Sequence, residues 1–356
     1  MASFILLLGV VFIYGKQFLS PLISEGFLSS GEQVSQAEVK NVQQDILPTL
    51  GRRKLSGDEY TGHREAIRKL VEEQDPRAAL DYIKKMKSEG KVEYECHELT
   101  HEVGNLAYEK YRDPIVALTY KIRVCGYGYI HGVIEEYIND TPDAMEILQG
   151  LCQKYPNERD EFECYHGVGH GLMIYSSNDV PAALAVCDQY QEDKAKSLCG
   201  VGVFMENFMA DKAHQSRYVK PDDPLYPCSE QKDIYKQRCY EMAPMHYLAV
   251  KRGDFSSMLA WCDTVEGRFK SSCARGTIFS IVHYTEDSKI IEQFCQSSTE
   301  ELRDPCIRGF VRYRLDALPM LADEAARDKV RESCQEFASS VTQAICRDAA
   351  ETEEKL

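Results

Sequence analysis

The regular pairing of the cysteines constrains the fold of this chain more than any other feature. Twelve of the fourteen cysteines form pairs whose members stand eleven or twelve positions apart. The pairs are Cys152 with Cys164, Cys187 with Cys199, Cys228 with Cys239, Cys262 with Cys273, Cys295 with Cys306, and Cys334 with Cys346. Because the chain contains no CxxC motif, the pattern argues against zinc ribbons and thioredoxin-type sites. It favours structural disulfides that form in an oxidising compartment.

The cysteine pairs also recur at the period of a helical repeat. The first cysteines of successive pairs lie 35, 41, 34, 33 and 39 residues apart, which is the range of two-helix solenoid repeats. We therefore predict an all-α fold, a right-handed αα-hairpin solenoid of about eight repeats with one disulfide in most repeats. A closed α/α toroid is the alternative, because the period alone does not fix the curvature.

Each repeat unit shows the same order of helix signals. A first helix starts at Asp or Thr, often with proline next, and leads to the first cysteine, and a second helix carries the other cysteine. The starts include Asp113, Thr141, Asp179 and Asp254. A small residue stands three positions after the cysteine of the second helix at Gly128, Gly167, Gly202, Gly276, Gly309 and Ala349, whereas the Cys239 unit has Met242 there. Because glycine inside a helix costs about 1 kcal/mol relative to alanine, this register predicts close contact between neighbouring second helices.

This architecture resembles the bacterial cysteine-rich repeat proteins related to tetratricopeptide repeats, which also place one disulfide in each αα unit. The resemblance covers about 280 residues and consists of the period and the pairing, with a longer cysteine spacing here. It implies a stack of internally cross-linked hairpins and assigns no functional residue.

Cys96 and Cys125 depart from the pairing rule, because neither has a partner about twelve residues upstream. Both are predicted to stand early in the second helices of adjacent units, where the starts of neighbouring helices lie side by side. We predict a Cys96–Cys125 disulfide between the first two units. The alternative is that both are free thiolates that help to bind a metal.

The N-terminal segment predicts export. Phe4 to Tyr14 is an apolar run followed by Lys16, which is shorter than the roughly 20 residues of a membrane span but typical of a secretory signal. We predict a signal peptide or membrane anchor at 1–20, a flexible linker at 21–57, the disulfide-stapled helical-repeat domain at 58–350 and an acidic tail at 351–356. The protein is then extracytoplasmic, secreted or anchored through this segment alone; an N-terminal helix of a cytosolic protein is the alternative. The net charge of −15 argues against nucleic acid as a partner.

Five of the nine histidines lie a few residues after a cysteine in the first part of the repeat region. Two pairs are spaced i, i+4 and therefore share a helix face, and equivalent positions of adjacent units stack side by side in a solenoid. We predict a zinc or copper site whose ligands are His97, His101, His131, His166 and His170, with Glu206 as a carboxylate ligand. The alternative is that these histidines are packing residues that bond to the backbone. His246 and His283 are predicted to lie apart from this group.

The segment His97 to His101 also resembles the HExxH motif of zinc metallopeptidases, in which two histidines hold zinc and the glutamate polarises a water molecule. This resemblance implies that Glu98 acts as a general base. The segment His166 to His170 repeats the spacing without a glutamate. That repetition favours a shared ligand geometry over a peptidase mechanism.

These patterns support three functional hypotheses. The first is an exported helical-repeat protein with a histidine-rich transition-metal site, which leaves open whether the protein is an enzyme. The second is a non-catalytic interaction scaffold, or an accessory subunit of a membrane complex, that binds a protein partner on the concave face of the solenoid. The third is an HExxH zinc peptidase.

Overall fold

A computed structural model of the protein describes most of the chain from residue 55 to residue 353. The described ranges are 55–92, 95–122, 124–141, 148, 150–155, 158–209, 216–220, 222–251, 254–282, 285–318 and 323–353. The predicted export segment, nearly all of the linker and His283 lie outside them. None of the helices in this described part has both the length and the apolar character that a bilayer span requires.

The described residues form helices, short 3₁₀ turns and loops. In chain order the helices are α1 (Gly57–Glu73), α2 (Pro76–Ser88), α3 (Cys96–Tyr111), α4 (Pro114–Leu118), α5 (Gly128–Asp140), α6 (Glu158–Tyr175), α7 (Val180–Cys187), α8 (Asp193–Met209), α9 (Asp233–Val250), α10 (Met258–Cys262), α11 (Lys270–Ile281), α12 (Ser288–Gln296), α13 (Glu300–Asp316), α14 (Asp323–Ser333) and α15 (Ser340–Thr352). The predicted all-α class is confirmed for this part of the chain.

The second helices of the units, α3, α5, α6, α8, α9, α11, α13 and α15, pack against one another in chain order. The first helices α2, α4, α7, α10, α12 and α14 precede them, and several pack on the second helix of their own unit. Helix α15 continues a little beyond the predicted domain boundary at residue 350, and the side chain of Glu353 is buried against Arg275.

Local capping explains several helix starts. Asp113 accepts hydrogen bonds from the backbone N–H groups of the first turn of α4, and Asp179 caps α7 in the same way, each with proline at the start of the helix. Asp254 behaves differently from the prediction. It accepts hydrogen bonds from Ser256 and Ser257 and forms a turn, so that α10 begins only at Met258.

The unit of Cys228 lacks a regular first helix among its described residues. Prolines recur at 221, 224 and 227, and proline both lacks a backbone N–H group and fixes φ. The described residues before Cys228 form turns and a single bridge between Lys220 and Asp223, and Cys228 begins a short 3₁₀ turn. The uniform repeat expected from the sequence is therefore interrupted at this unit.

Six disulfides join the predicted pairs eleven or twelve residues apart. They are Cys152 with Cys164, Cys187 with Cys199, Cys228 with Cys239, Cys262 with Cys273, Cys295 with Cys306, and Cys334 with Cys346. As predicted, the second cysteine of each pair lies inside a second helix: Cys164 in α6, Cys199 in α8, Cys239 in α9, Cys273 in α11, Cys306 in α13 and Cys346 in α15. All six of these second cysteines are buried, so each cross-link ties a second helix to the segment before it from within the core.

The seventh disulfide is Cys96–Cys125, with a Cα–Cα distance of 5.5 Å. The alternative of two free thiolates is therefore wrong, since each sulfur is bonded to the other. The predicted placement is correct for Cys96, which begins α3, but Cys125 lies in a short 3₁₀ turn just before α5. All fourteen cysteines are thus cross-linked, and a chain with this many disulfides belongs in an oxidising, extracytoplasmic environment.

Glycines allow the second helices to approach closely, as their register predicted. A Cβ atom built on Gly202 of α8 would lie 2.0 Å from the backbone oxygen of His166 on α6. A Cβ atom on Gly132 of α5, which lies outside the predicted register, would lie 2.1 Å from the backbone oxygen of His101 on α3. Since real Cβ atoms do not come this close to backbone atoms, these helix pairs can contact at this distance only through glycine.

The layer of second helices is strongly curved. Arg312 on α13 lies 3.3 Å from Glu241 on α9, which is two units earlier, and Arg159 on α6 lies 2.9 Å from Asp316 at the end of α13, four units later. These four side chains are largely buried. Side chains of non-adjacent units therefore meet on the concave side of the layer, and the histidines lie there as well.

Candidate metal centre

Three consecutive second helices bring the five predicted histidines together. Helix α3 carries His97 and His101, α5 carries His131, and α6 carries His166 and His170. The ring centroid of His131 lies 4.7 to 5.4 Å from those of the other four rings. The centroids of His101 and His170 lie 6.0 Å apart, although their helices are two units apart. Because the layer is curved, histidines at similar positions of three consecutive second helices form one cluster of imidazoles.

The two histidines of α3 face each other through their Nε2 atoms, which are 3.0 Å apart. The Nδ1 atom of His97 lies 2.7 Å from the backbone oxygen of Cys125, and the Nδ1 atom of His101 lies 3.0 Å from a carboxylate oxygen of Glu135. Both acceptors fix the ring proton on Nδ1, which leaves a lone pair on each Nε2 when the rings are neutral. Two lone pairs at this distance require a proton or a metal cation between them.

The histidines of α6 repeat this arrangement. Their Nε2 atoms lie 3.1 Å apart, and the Nδ1 atom of His170 lies 2.9 Å from a carboxylate oxygen of Glu206 on α8. The Nδ1 atom of His166 differs, because it lies 3.5 Å from Glu163 and has no hydrogen-bond partner in the described structure. A histidine whose second nitrogen bonds to a carboxylate or a carbonyl oxygen is the usual arrangement of metal-binding imidazoles, because that contact orients the ring.

His131 lies between the two pairs and is fully buried. Its Nε2 atom is 3.1 Å from a carboxylate oxygen of Glu163, whereas its Nδ1 atom is buried without a hydrogen-bond partner in the described structure. Glu163 also accepts a contact of 2.8 Å from Arg159, which in turn pairs with Asp316. A buried polar atom without a partner is costly, and a bound cation is one way to satisfy it.

The electrostatics favour neutral rings at His97 and His131 and an ionised carboxylate at Glu163. Burial lowers the pKa of His97 to about 3 and the pKa of His131 well below its usual range. Burial alone would raise the pKa of Glu163, but Arg159 and the contacts from the imidazoles outweigh it, so that this pKa lies below its ordinary value. Metal ligands must be deprotonated, and these three groups are in the state that a cation requires. Burial alone would lower the pKa of His101, but Glu135 outweighs it and raises this pKa, so a cation bound there replaces a proton.

The donor atoms among the described residues form two groups within bonding range of an ion. One consists of His97, His101 and His131, and the other of His131, Glu163 and His166; in each, the donor atoms lie within 4.8 Å of one another. The first group is partly exposed and the second is buried. Three imidazoles, or two imidazoles and a carboxylate, are ligand sets that zinc and copper accept.

This chain matches no protein-family model, no curated protein and no solved structure. The arrangement of the histidines therefore carries the functional argument.

Two glutamates in the cluster were missed by the sequence prediction. Glu135 lies on the same face of α5 as His131, four residues later, and Glu163 precedes His166 by three residues. Both are buried charged residues at spacings that place them beside the histidines. Their spacing of three or four residues from a histidine was the sequence signal that could have identified them. Glu206 was predicted as a ligand, and its carboxylate contacts Nδ1 of His170, on the other side of the ring from the Nε2 contact.

Other predicted features lie around the cluster or away from it. Glu98 is exposed on α3, and its role as a general base stays a prediction. His246 is buried apart from the five histidines, with its ring centroid 5.9 Å from that of Phe208. Tyr129 of α5 is buried and donates to the backbone oxygen of Ala117, which is ordinary helix packing.

Proposed function

We propose that this protein binds a transition-metal ion, zinc or copper, through the histidine cluster of α3, α5 and α6. The protein acts outside the cytoplasm as an exported, strongly curved αα-hairpin solenoid. The observation that carries the proposal is the pair of Nε2–Nε2 contacts at 3.0 and 3.1 Å, each with at least one Nδ1 atom held by an acceptor.

The contact distance suits ligands of one ion. Zinc binds histidine nitrogen at about 2.0 to 2.1 Å, so two ligands of one ion lie about 2.9 Å apart at a 90° angle and about 3.3 Å apart at the tetrahedral angle. The distances of 3.0 and 3.1 Å lie within this span. Packing residues need no such alignment of four ring nitrogens, because each would be satisfied singly by the backbone.

The carboxylates behind the rings support the same conclusion. Glu135 and Glu206 each contact Nδ1 of a histidine whose Nε2 atom faces the partner ring of the pair. A carboxylate in this position raises the basicity of the imidazole and holds its tautomer. Glu206 is then an orienting residue rather than a direct ligand.

The metal content of the purified protein tests this proposal. Protein produced in an oxidising compartment is loaded with zinc or copper and dialysed, and its metal content is compared with that of a His170→Ala variant. His246→Ala is the matched control, because it removes a buried histidine outside the cluster. We expect bound metal in the parent protein and in the control, and a loss of metal in the cluster variant.

Circular dichroism confirms that each variant is folded before its metal content is compared. A folded parent protein that binds neither ion at micromolar concentration would refute the proposal and leave the interaction scaffold as the remaining hypothesis. Equal metal loss from the cluster variant and the His246→Ala control would place the metal elsewhere. The scaffold's protein partner stays a prediction.

A further inference from the structure

The donor atoms of the histidine cluster form two groups, and a single ion cannot bind all of them. Ligand atoms of one zinc ion at about 2.1 Å can lie at most about 4.2 Å apart. Among the described residues, the donor atoms of the cluster do not form one group within 4.8 Å but two, and His131 belongs to both. The cluster therefore has the layout of two neighbouring sites with one residue in common.

We propose that the cluster holds two transition-metal ions and that His131 bridges them, a proposal that rests on the metal-binding function above. The outer ion is bound by His97 and His101. The inner ion is bound by Glu163 and His166. His131 gives one ring nitrogen to each ion, and His170 contacts His166 through its Nε2 atom.

The contacts of His131 support a bridging role. Its Nε2 atom already lies 3.1 Å from Glu163, a member of the inner group, and its Nδ1 atom is buried without a hydrogen-bond partner in the described structure. Its ring centroid is 5.4 and 5.2 Å from those of His97 and His101, and 4.7 Å from that of His166. When both nitrogens bind metal, the ring loses its N–H proton to the solvent and becomes an imidazolate with one negative charge.

The charges around the cluster match two divalent ions. Glu135, Glu163 and Glu206 each contact a histidine of the cluster and supply three negative charges, and the imidazolate supplies a fourth. Arg159 and Asp316 form a neutral pair beside them. Two divalent ions balance these four charges.

The two sites differ in their access to solvent. The side chain of His101 in the outer group is 17% exposed, whereas those of His131 and Glu163 are 1% and 3% exposed. A chelator in solution therefore reaches the outer ion first. We expect biphasic removal of zinc by EDTA, with one ion lost rapidly and the other slowly.

The stoichiometry of zinc in the folded protein tests the proposal directly. We expect two zinc ions per chain in the parent protein and in the His246→Ala control. The double variant His97→Ala/His101→Ala should retain one, which is the slowly removed ion. Protein without zinc would refute the proposed function itself, whereas a parent protein with one zinc ion would refute only the second site.

Copper tests the bridge without a change in the sequence. Two Cu(II) ions joined by an imidazolate are magnetically coupled, so the electron paramagnetic resonance signal of the two-copper protein should fall well below that of two isolated ions. The double variant, with one copper ion, should show the full signal of that ion. Two copper ions with an undiminished signal in the parent protein would overturn the bridging role of His131.

Discussion

The close contact between α6 and α8 predicts that a glycine-to-alanine substitution lowers the stability at Gly202, whereas the same substitution at the exposed Gly62 raises it. In Gly202→Ala the new Cβ atom would lie 2.0 Å from the backbone oxygen of His166, 2.9 Å from the backbone nitrogen of His170 and 3.0 Å from the Cα atom of Gly169. An ordinary contact is at least 3.4 Å, so the helices must separate by about 1.4 Å. These are backbone atoms, so no side-chain rotation can make room.

The expected magnitude combines two opposing effects. Overpacking costs about 1 to 3 kcal/mol, with the upper part expected when the backbone must move, whereas alanine gains about 1 kcal/mol over glycine in helix propensity. We expect a net loss of about 2 kcal/mol in the free energy of unfolding for Gly202→Ala. With an unfolding entropy of about 2.1 cal/mol/K per residue over about 300 residues, that corresponds to a decrease of roughly 3 °C in the melting temperature.

Gly62→Ala is the matched control. Gly62 is an exposed residue inside α1, and a Cβ atom there would have no neighbour within 4 Å. The propensity gain then acts alone, so we expect this variant to be more stable by about 0.5 to 1 kcal/mol. Thermal unfolding followed by circular dichroism, with the disulfides intact, measures both variants. A Gly202→Ala protein with an unchanged or higher melting temperature would refute the close approach of these helices.

Two further predictions concern the rest of the repeat layer. Burial alone would raise the pKa of Glu241, but Arg238 and Arg312 outweigh it, so this pKa lies below the ordinary value of 4.5. The ionised Glu241 carboxylate therefore stabilises the fold above pH 4.5, and this stabilisation is lost as the pH falls through the folded-state pKa. Glu241→Gln should thus be less stable than the parent protein at pH 7, with a difference that shrinks in acid; melting temperatures over a pH series check this, and a constant difference would contradict it. Replacement of Cys262 and Cys273 by alanine opens a loop of about a dozen residues and should cost about 3 kcal/mol in denaturant unfolding, whereas an unchanged midpoint would show that this cross-link is dispensable.

The sequence predicted those parts of the structure that depend on neighbouring units. The cysteine spacing predicts the pairing, and the register of glycine and histidine predicts which faces of the second helices meet. A period of about 35 residues fixes the contact of each unit with the next but leaves the curvature undetermined. The contact between Arg159 and Asp316, four units apart, could therefore not be predicted.

The missed details have local causes. Glu135 and Glu163 stand one helical turn from histidines. Because a glutamate on a helix is usually solvated, the residue type alone did not predict that these two are buried in the cluster. The short α10 follows from hydrogen bonds that Asp254 makes to its own loop instead of to a helix end. Whether Asp254 caps a helix or forms a local turn depends on contacts that the period of the sequence does not specify.

The salt bridge between Arg159 and Asp316 ties the environment of the histidines to the far end of the chain. All eight histidine and glutamate residues of the cluster lie between positions 97 and 206, yet the arginine that holds Glu163 is itself held by the last residue of α13. A shortened protein that ends before α13 would keep every one of those eight residues and lose the anchor of that arginine. Truncation is therefore a poor way to isolate this centre.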